Sequence, residues 1–250
     1  GDVDVLAAIT TAGKLEINAN GNTEGSEGRI NLTGAIEANN IELIASSLEG
    51  NGSISISESL DLVSLNELSE FSGSVMAQGE VSQLFANNNH SFDLTTNDSE
   101  FKILDVIFTG FNEVTGDTGT VNSEAIDASY SILDSGSIEV NNIVFNQIAT
   151  VAAGGGLDTA VGLPNQQWIL TGGDRSVVTS DINFSNIDSV INGQILGTIG
   201  TDTFEILAEQ SVLVNEMTFE GISTIDAQDH TDYVTGGSDW RILESGAESY

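Results

Sequence analysis

The stretch GDVDVLAAITTAGKLEINANG at residues 1–21 is followed by GRINLTGAIEANNIELIAS at residues 28–46, and the two share one order of apolar positions. Each contains two short runs in which apolar and polar residues alternate, the pattern of a strand with one buried face. A third, degenerate copy extends from Ile54 to Leu62, and the copies lie 24 to 27 residues apart. One such copy is too small to bury its apolar face unless neighbouring copies stack on it.

After residue 100 the repeat lengthens and carries aromatic residues at fixed places. One series places Phe three residues before a second apolar residue and six before a third, at Phe108, Phe145, Phe184 and Phe219. A second series places an aromatic residue just before an Ile-Leu pair, at Phe101, Tyr130, Trp168, Phe204 and Trp240. Stacked like side chains would seal the interior of a repetitive β-structure.

These repeats predict an all-β fold of the β-solenoid (parallel β-helix) type, with two regions. Residues 1–100 would form short repeats of about 24–27 residues, and residues 101–250 longer, aromatic-anchored repeats of about 35–39 residues. We expect the second region to continue the first, and the chain to be a segment of a longer protein.

Composition narrows the classes of function. The chain has 38 acidic and 5 basic residues, a formal net charge of -33, and its basic residues are scattered. This charge repels nucleic acid and anionic membranes, so neither is expected as a partner. Cysteine is absent, which excludes disulfides and thiolate metal sites.

The quoted N-terminal repeats resemble those of filamentous-haemagglutinin-like exoproteins, the large bacterial adhesins exported by two-partner secretion. The later units, such as INFSNIDSVINGQ at residues 182–194, look like repeats of giant surface proteins of marine bacteria. The resemblance implies a right-handed parallel β-helix, an extracellular or cell-surface location, and a role in adhesion or aggregation. It implies no catalytic residues.

Calcium is the one ligand for which the sequence offers candidates. Asp side chains recur in turns beside both aromatic series, at Asp117, Asp158, Asp202, Asp232 and Asp239. A row of carboxylates facing turn carbonyls suits a hard cation. The alternative interpretation is that these aspartates are solvated turn caps, because Asp closes turns without any metal. The acidity of the whole chain also suits a strongly hydrated surface.

The sequence therefore predicts a non-catalytic adhesin or exoprotein segment that presents a surface to a receptor, a glycan or a neighbouring copy, without a required cofactor. A polysaccharide lyase or hydrolase is one alternative, although His90 and His230 both fit solvated turns and no acidic pair can be located. A self-assembling filament protein, joined end to end or laterally, is the other alternative.

Overall fold

A computed structural model describes residues 1–19, 28–63, 65, 67–86, 90–123, 126–173, 175–179, 181–228 and 231–236. These residues form strands and connecting turns, without a helix among them. The first thirteen strands are β1 (Val3–Val5), β2 (Ile9–Asn18), β3 (Arg29–Leu32), β4 (Ala35–Ile44), β5 (Ser47–Gly50), β6 (Ser53–Val63), β7 (Glu67–Phe71), β8 (Ser74–Ala77), β9 (Gln83–Ala86), β10 (Ser91–Leu94), β11 (Glu100–Ile103), β12 (Val106–Thr109) and β13 (Glu113–Ser123). The remaining twelve are β14 (Ser129–Asp134), β15 (Ser137–Val140), β16 (Ile143–Ala153), β17 (Thr159–Val161), β18 (Gln167–Leu170), β19 (Ser176–Val178), β20 (Asn183–Ser185), β21 (Ser189–Leu196), β22 (Thr203–Ala208), β23 (Ser211–Val214), β24 (Met217–Asp226) and β25 (Tyr233–Gly236).

Parallel pairs join the strands of the N-terminal part. Strands β1, β3, β5 and β7 form a four-stranded parallel sheet, and β2, β4 and β6 pair in parallel within the larger sheet. Val3 pairs with Ile30 and Leu15 with Ile41, as the quoted repeats suggest. The third copy is offset differently, because Ile54 pairs with Ile36 and not with Ile30. Apolar residues of each strand thus meet on one buried face.

Antiparallel hairpins make up much of the C-terminal part. Strands β10–β11–β12, β14–β15–β16, β18–β19–β20 and β22–β23–β24 are four antiparallel three-stranded units. Three of them reverse direction at two consecutive residues of positive φ, the signature of a type I′ turn. These pairs are Leu104–Asp105, Asn141–Asn142 and Asn215–Glu216. The longer repeat therefore holds an inserted hairpin.

The predicted fold class, a right-handed parallel β-helix or β-solenoid, is wrong. The structure is all-β but contains a closed, mixed β-barrel of eight strands together with a multi-stranded sheet. Eight strands form a closed ring of pairings in the order β14, β15, β16, β20, β19, β18, β21 and β17. Antiparallel pairs within this ring come from the inserted hairpins, whose reversals the sequence repeats did not reveal.

Aromatic side chains fill the interior of these units. Phe108, Phe145, Phe184 and Phe219 of the first predicted series are all buried. In the second series, Tyr130, Trp168 and Phe204 lie on the first strand of their units, whereas Phe101 lies on the middle strand of its own. The residue that corresponds to them is Phe92, on β10. Trp240 lies outside the described residues.

Glycines allow the N-terminal strands to approach closely at one corner. Gly34, Gly52 and Gly73 follow one another there, and a Cβ on Gly52 would lie 2.1 Å from the Gly34 carbonyl oxygen. A shallow groove of about 410 Å³ runs along this corner, lined by small uncharged residues. Close packing of backbone on backbone leaves no room there for a side chain.

We predict that Gly52→Ala lowers the free energy of unfolding by more than about 2 kcal/mol, because the new methyl group overlaps the carbonyl oxygen of the neighbouring strand. Gly13→Ala is the matched control, since its Cβ would meet nothing closer than Thr11 Oγ1 at 3.9 Å. Urea unfolding followed by circular dichroism measures both variants. Equal stability of the two would contradict the close approach.

Candidate functional site

The aspartates predicted to bind calcium lie mainly in turns that precede strands. Asp158 precedes β17, Asp202 precedes β22, and Asp232 is followed by β25. The first two are buried, with 0% and 4% of their surface exposed. Asp117 is exposed within β13, where the pairing with β16 is irregular. Asp239 lies outside the described residues.

Several of these carboxylates accept hydrogen bonds from the backbone of a neighbouring turn. The Ala128 N–H donates to Asp158 Oδ1 (3.0 Å), and the Asp158 N–H donates to Asp188 Oδ2 (2.8 Å). Asp202 and Asp232 repeat the arrangement, since the Asp202 N–H donates to Asp232 Oδ1 (2.8 Å). Each of these pairs is separated by 30 residues. The recurring Asp therefore supplies an acceptor for a turn amide of the preceding repeat.

The geometry around these aspartates does not add further acidic ligands. Across the described ranges, no group of three or more His, Cys, Asp or Glu side chains is arranged to hold a metal ion. Asp158 and Asp202 are each linked by a backbone bond to one other aspartate, and Asp117 lies apart in another strand. Calcium binding by the predicted residues stays a prediction.

Asp158 belongs to a buried polar network. Its Oδ1 also accepts a bond from Ser123 Oγ (3.3 Å), which in turn accepts one from the Tyr130 hydroxyl (2.5 Å). Its Oδ2 is buried without a hydrogen-bond partner among the described residues. Burial raises the pKa of the Asp158 carboxyl, while the bonds from Ala128 and Ser123 oppose the shift. Asp188 is paired with Arg175 at 2.6 Å.

His90 is not the solvated turn residue that the sequence suggests. It is only 7% exposed, and its Nε2 is buried without a hydrogen-bond partner among the described residues. Burial lowers the pKa of its imidazole. The Nε2 atom of His90 is therefore not presented at the protein surface. His230 lies outside the described residues.

A second, charged pocket lies on the outer face of the N-terminal strands. It has a volume of about 280 Å³, and we call it the Phe85 pocket; it is lined by Lys14, Asn40, Ile41, Glu42, Ser59, Asp61 and Phe85. Strand register builds it, because β2, β4, β6 and β9 pair in parallel in that order. Glu16, Glu42, Asp61 and Phe85 consequently occupy one row across four adjacent strands. Adjacent positions in such a row are about 4.8 Å apart.

Two acidic residues and one basic residue line the Phe85 pocket. The Lys14 ammonium is ion-paired with the Glu42 carboxylate, and this bond raises the pKa of Lys14. The next acid in the row, Asp61, has a raised pKa, first because it is partly buried and second because Glu42 is close. Phe85 follows Asp61 with a partly exposed ring, and the row continues to Thr115 of β13. The pocket therefore combines carboxylate acceptors with an apolar surface.

Polar side chains at the side of the pocket are already bonded to one another. Ser59 Oγ donates to Asn40 Oδ1 (2.6 Å), and Asn40 Nδ2 donates to Glu58 Oε2 (2.8 Å). These bonds hold the Asn40 amide in place beside Glu42, Asp61 and the Phe85 ring, which also line the pocket.

Sequence reasoning missed this pocket, although its signal was present. The segments KLEI (residues 14–17), NIEL (40–43), SLDL (59–62) and QLFA (83–86) share one pattern of apolar second and fourth positions, which are buried or, at Leu15, partly buried. The third position points outward in each, and it is acidic in three segments and Phe in the fourth. KLEI, NIEL and SLDL belong to the repeats described above, but those repeats were defined by their apolar residues alone.

Comparisons with family models, with curated proteins and with solved structures give no match. No helix with the length and hydropathy of a membrane span occurs within the described ranges.

We predict that Asp158→Asn changes how stability depends on pH. The ordinary pKa of this carboxyl is 3.8 and the folded value is higher, so just above pH 3.8 the folded protein retains a proton that the unfolded chain has lost. The stabilisation from this proton is complete below pH 3.8, the pKa of the unfolded chain, and is lost as pH rises through the folded pKa. The Asn variant keeps an Oδ1 acceptor and should not show this loss.

Thermal unfolding of the wild type and the variant across this pH range measures the difference. Asp134→Asn, at an exposed position, is the control and should follow the wild type. A constant offset between Asp158→Asn and the wild type at every pH would contradict the assignment.

Proposed function

We propose that this chain is a non-catalytic segment of an extracellular bacterial adhesin or exoprotein, and that it binds a glycan at the Phe85 pocket. The observation that carries the proposal is the partly exposed Phe85 ring beside the Glu42 and Asp61 carboxylates. Sugar rings present an apolar face of C–H groups and an edge of hydroxyl donors, which match an aromatic ring and carboxylate acceptors respectively.

The position of the pocket supports this role. It lies on paired strands whose opposite faces are buried, with Ile41, Leu60 and Leu84 all at most 2% exposed. A site on such strands is held in place before the ligand arrives, which lowers the entropic cost of binding. The pocket volume of about 280 Å³ lies just below the usual range for ligand sites, about 300–1,000 Å³, and suits one or two sugar rings.

The charge of the chain narrows the class of glycan. With a net charge of -33 and carboxylates in the pocket itself, sulfated or uronic-acid polymers are repelled. The proposed partner is therefore a neutral or cationic glycan on a cell or another surface.

Hydrolysis of a polysaccharide is a second candidate function, favoured by the different environments of Glu42 and Asp61. Glu42 is ion-paired with Lys14, whereas burial and the neighbouring Glu42 charge raise the pKa of Asp61. A carboxyl group with a raised pKa can serve as general acid, and a neighbouring carboxylate as nucleophile or base. Release of reducing ends from a bound glycan would support this function over binding alone.

We predict that Phe85→Ser weakens glycan binding about fivefold to tenfold, because the apolar face of the sugar loses its contact. A glycan array identifies a ligand for the wild type, and titration calorimetry then compares the variants. Tyr233→Ser removes an aromatic side chain that is 58% exposed in β25, outside the pocket, and should bind as the wild type does. Binding unchanged by Phe85→Ser, or no bound glycan on the array, would refute the proposal.

A further inference from the structure

We propose that His90 is an acid-sensitive switch between the N-terminal parallel strands and the first antiparallel unit, β10–β11–β12. While its imidazole is neutral, His90 holds the start of β10 in place. When its Nε2 takes up a proton, the start of β10 detaches and the other strands stay folded. This inference does not depend on glycan binding.

His90 joins three segments of the chain. Its imidazole donates a hydrogen bond to the backbone of Leu65, in the connection between β6 and β7. Its carbonyl oxygen accepts a hydrogen bond from the Thr120 N–H of β13 (3.1 Å), and β10 begins at the next residue, Ser91. His90 therefore links the N-terminal part to the strand that begins the first antiparallel unit.

The imidazole ring has no site for a second proton. His90 is 7% exposed, and its Nε2 is buried without a hydrogen-bond partner among the described residues. The bond to Leu65 therefore comes from Nδ1, which makes Nε2 the unprotonated nitrogen of a neutral ring. A proton on Nε2 would create a buried charge and a donor without an acceptor, which is costly in the closed structure.

Acidic side chains near this ring do not offset that cost. Those of the strands that adjoin His90, Leu65 and Thr120 all retain exposed surface; they are Glu58, Asp61, Glu67, Glu70, Asp93, Glu113 and Asp117. None of these carboxylates contributes to the pKa of the imidazole, which burial lowers and the bond to Leu65 raises. A charge on His90 would therefore stay uncompensated in the closed structure.

The same backbone junction recurs in the other antiparallel units. In each, the residue before the first strand accepts a hydrogen bond from a parallel strand of the next repeat. These bonds run from Thr159 N–H to Ala128 O (2.8 Å), from Gln194 N–H to Gln166 O (2.8 Å) and from Tyr233 N–H to Asp202 O (2.9 Å). Since Ala or Gln suffices at this position, the junction itself does not require an imidazole.

The opening stays local because the surrounding strands have other partners. β10 has four residues, whereas β13 has eleven and also pairs with β9 and β16. Phe92, two residues after His90, packs against Phe101 and Phe145 with ring centroids 6.0 and 5.5 Å apart. These contacts hold the rest of β10 when its first residues detach.

Acid favours the detached form. The ordinary pKa of the imidazole is 6.5, and its value in the closed structure is lower. As pH falls below 6.5, the detached segment takes up a proton that the closed segment does not hold. The closed form therefore has its full stability above pH 6.5 and loses stability as pH falls toward the lowered pKa.

The experiment measures amide hydrogen exchange of the full chain by NMR at about pH 7.5 and about pH 5, corrected for the intrinsic effect of pH. The Thr120 N–H reports on the junction, and the Thr159 N–H, which donates to Ala128, is the matched reference. Protection of Thr120 should fall at least about tenfold at the lower pH, which corresponds to a pKa difference of about one unit. Protection of Thr159 should change less than about twofold, because Ala128 carries no proton to titrate.

Two variants test the role of the ring. His90→Gln should abolish the fall in Thr120 protection, because the amide does not titrate. His230→Asn removes the other histidine of the chain and should respond as the wild type does. It also leaves His90 as the one imidazole in the spectrum, so the ring can be titrated directly even if His90→Gln does not fold.

Unchanged protection of Thr120 at the lower pH, or an equal fall in His90→Gln, would overturn the inference. An equal fall at Thr159 would show a general loss of stability and would also overturn it. In His230→Asn, the ring should be a neutral Nδ1–H tautomer that is protonated only below its ordinary pKa of 6.5. Half-protonation at that ordinary value would contradict the switch.

Discussion

Backbone hydrogen bonding between parallel strands in fixed register is the constraint on which the rest of this structure depends. It aligns like positions of successive repeats, so that inward rows become the apolar core and outward rows become the surface chemistry. A slip of one residue would place Glu42 and Asp61 in the core and Ile41 and Leu60 in water. The core and the Phe85 pocket are therefore set by the same register.

The same constraint explains the aspartates and the glycines. Where strands begin, turn amides lack partners in the ladder, and carboxylates such as Asp158 and Asp232 accept their hydrogen bonds. Where backbones meet at the N-terminal corner, Gly34, Gly52 and Gly73 remove the side chain that would separate them. These aspartates and glycines thus serve the stacking of repeats.

The sequence predicted part of this arrangement. Alternation in residues 1–46 correctly indicated strands, and the repeated Val3-Asp-Val5 and Ile30-Asn-Leu32 are paired neighbours. The closed mixed barrel could not be read from aromatic spacing, because direction reverses at turns such as Leu104–Asp105, where neither residue is glycine. Phe101 and Tyr130 share a sequence pattern, because an Ile-Leu pair follows both. Phe101 nevertheless lies on the middle strand of its unit and Tyr130 on the first strand of its own. The pocket depends on the register among four strands. One of them, β9 with the sequence QLFA, had no place in the predicted repeats.

The most direct test of this account is disulfide formation between cysteines introduced in the outward row, which is possible because the chain has no cysteine of its own. Glu16→Cys with Glu42→Cys places two thiols on paired residues of β2 and β4, within the range of a disulfide. Glu16→Cys with Glu37→Cys, where Glu37 pairs with Thr10, is the control. Under mild oxidation, intact-mass measurement should show rapid bond formation in the first variant and none in the second. Equal rates in the two variants, or a bond only in the second, would contradict the register and with it both the core and the Phe85 pocket.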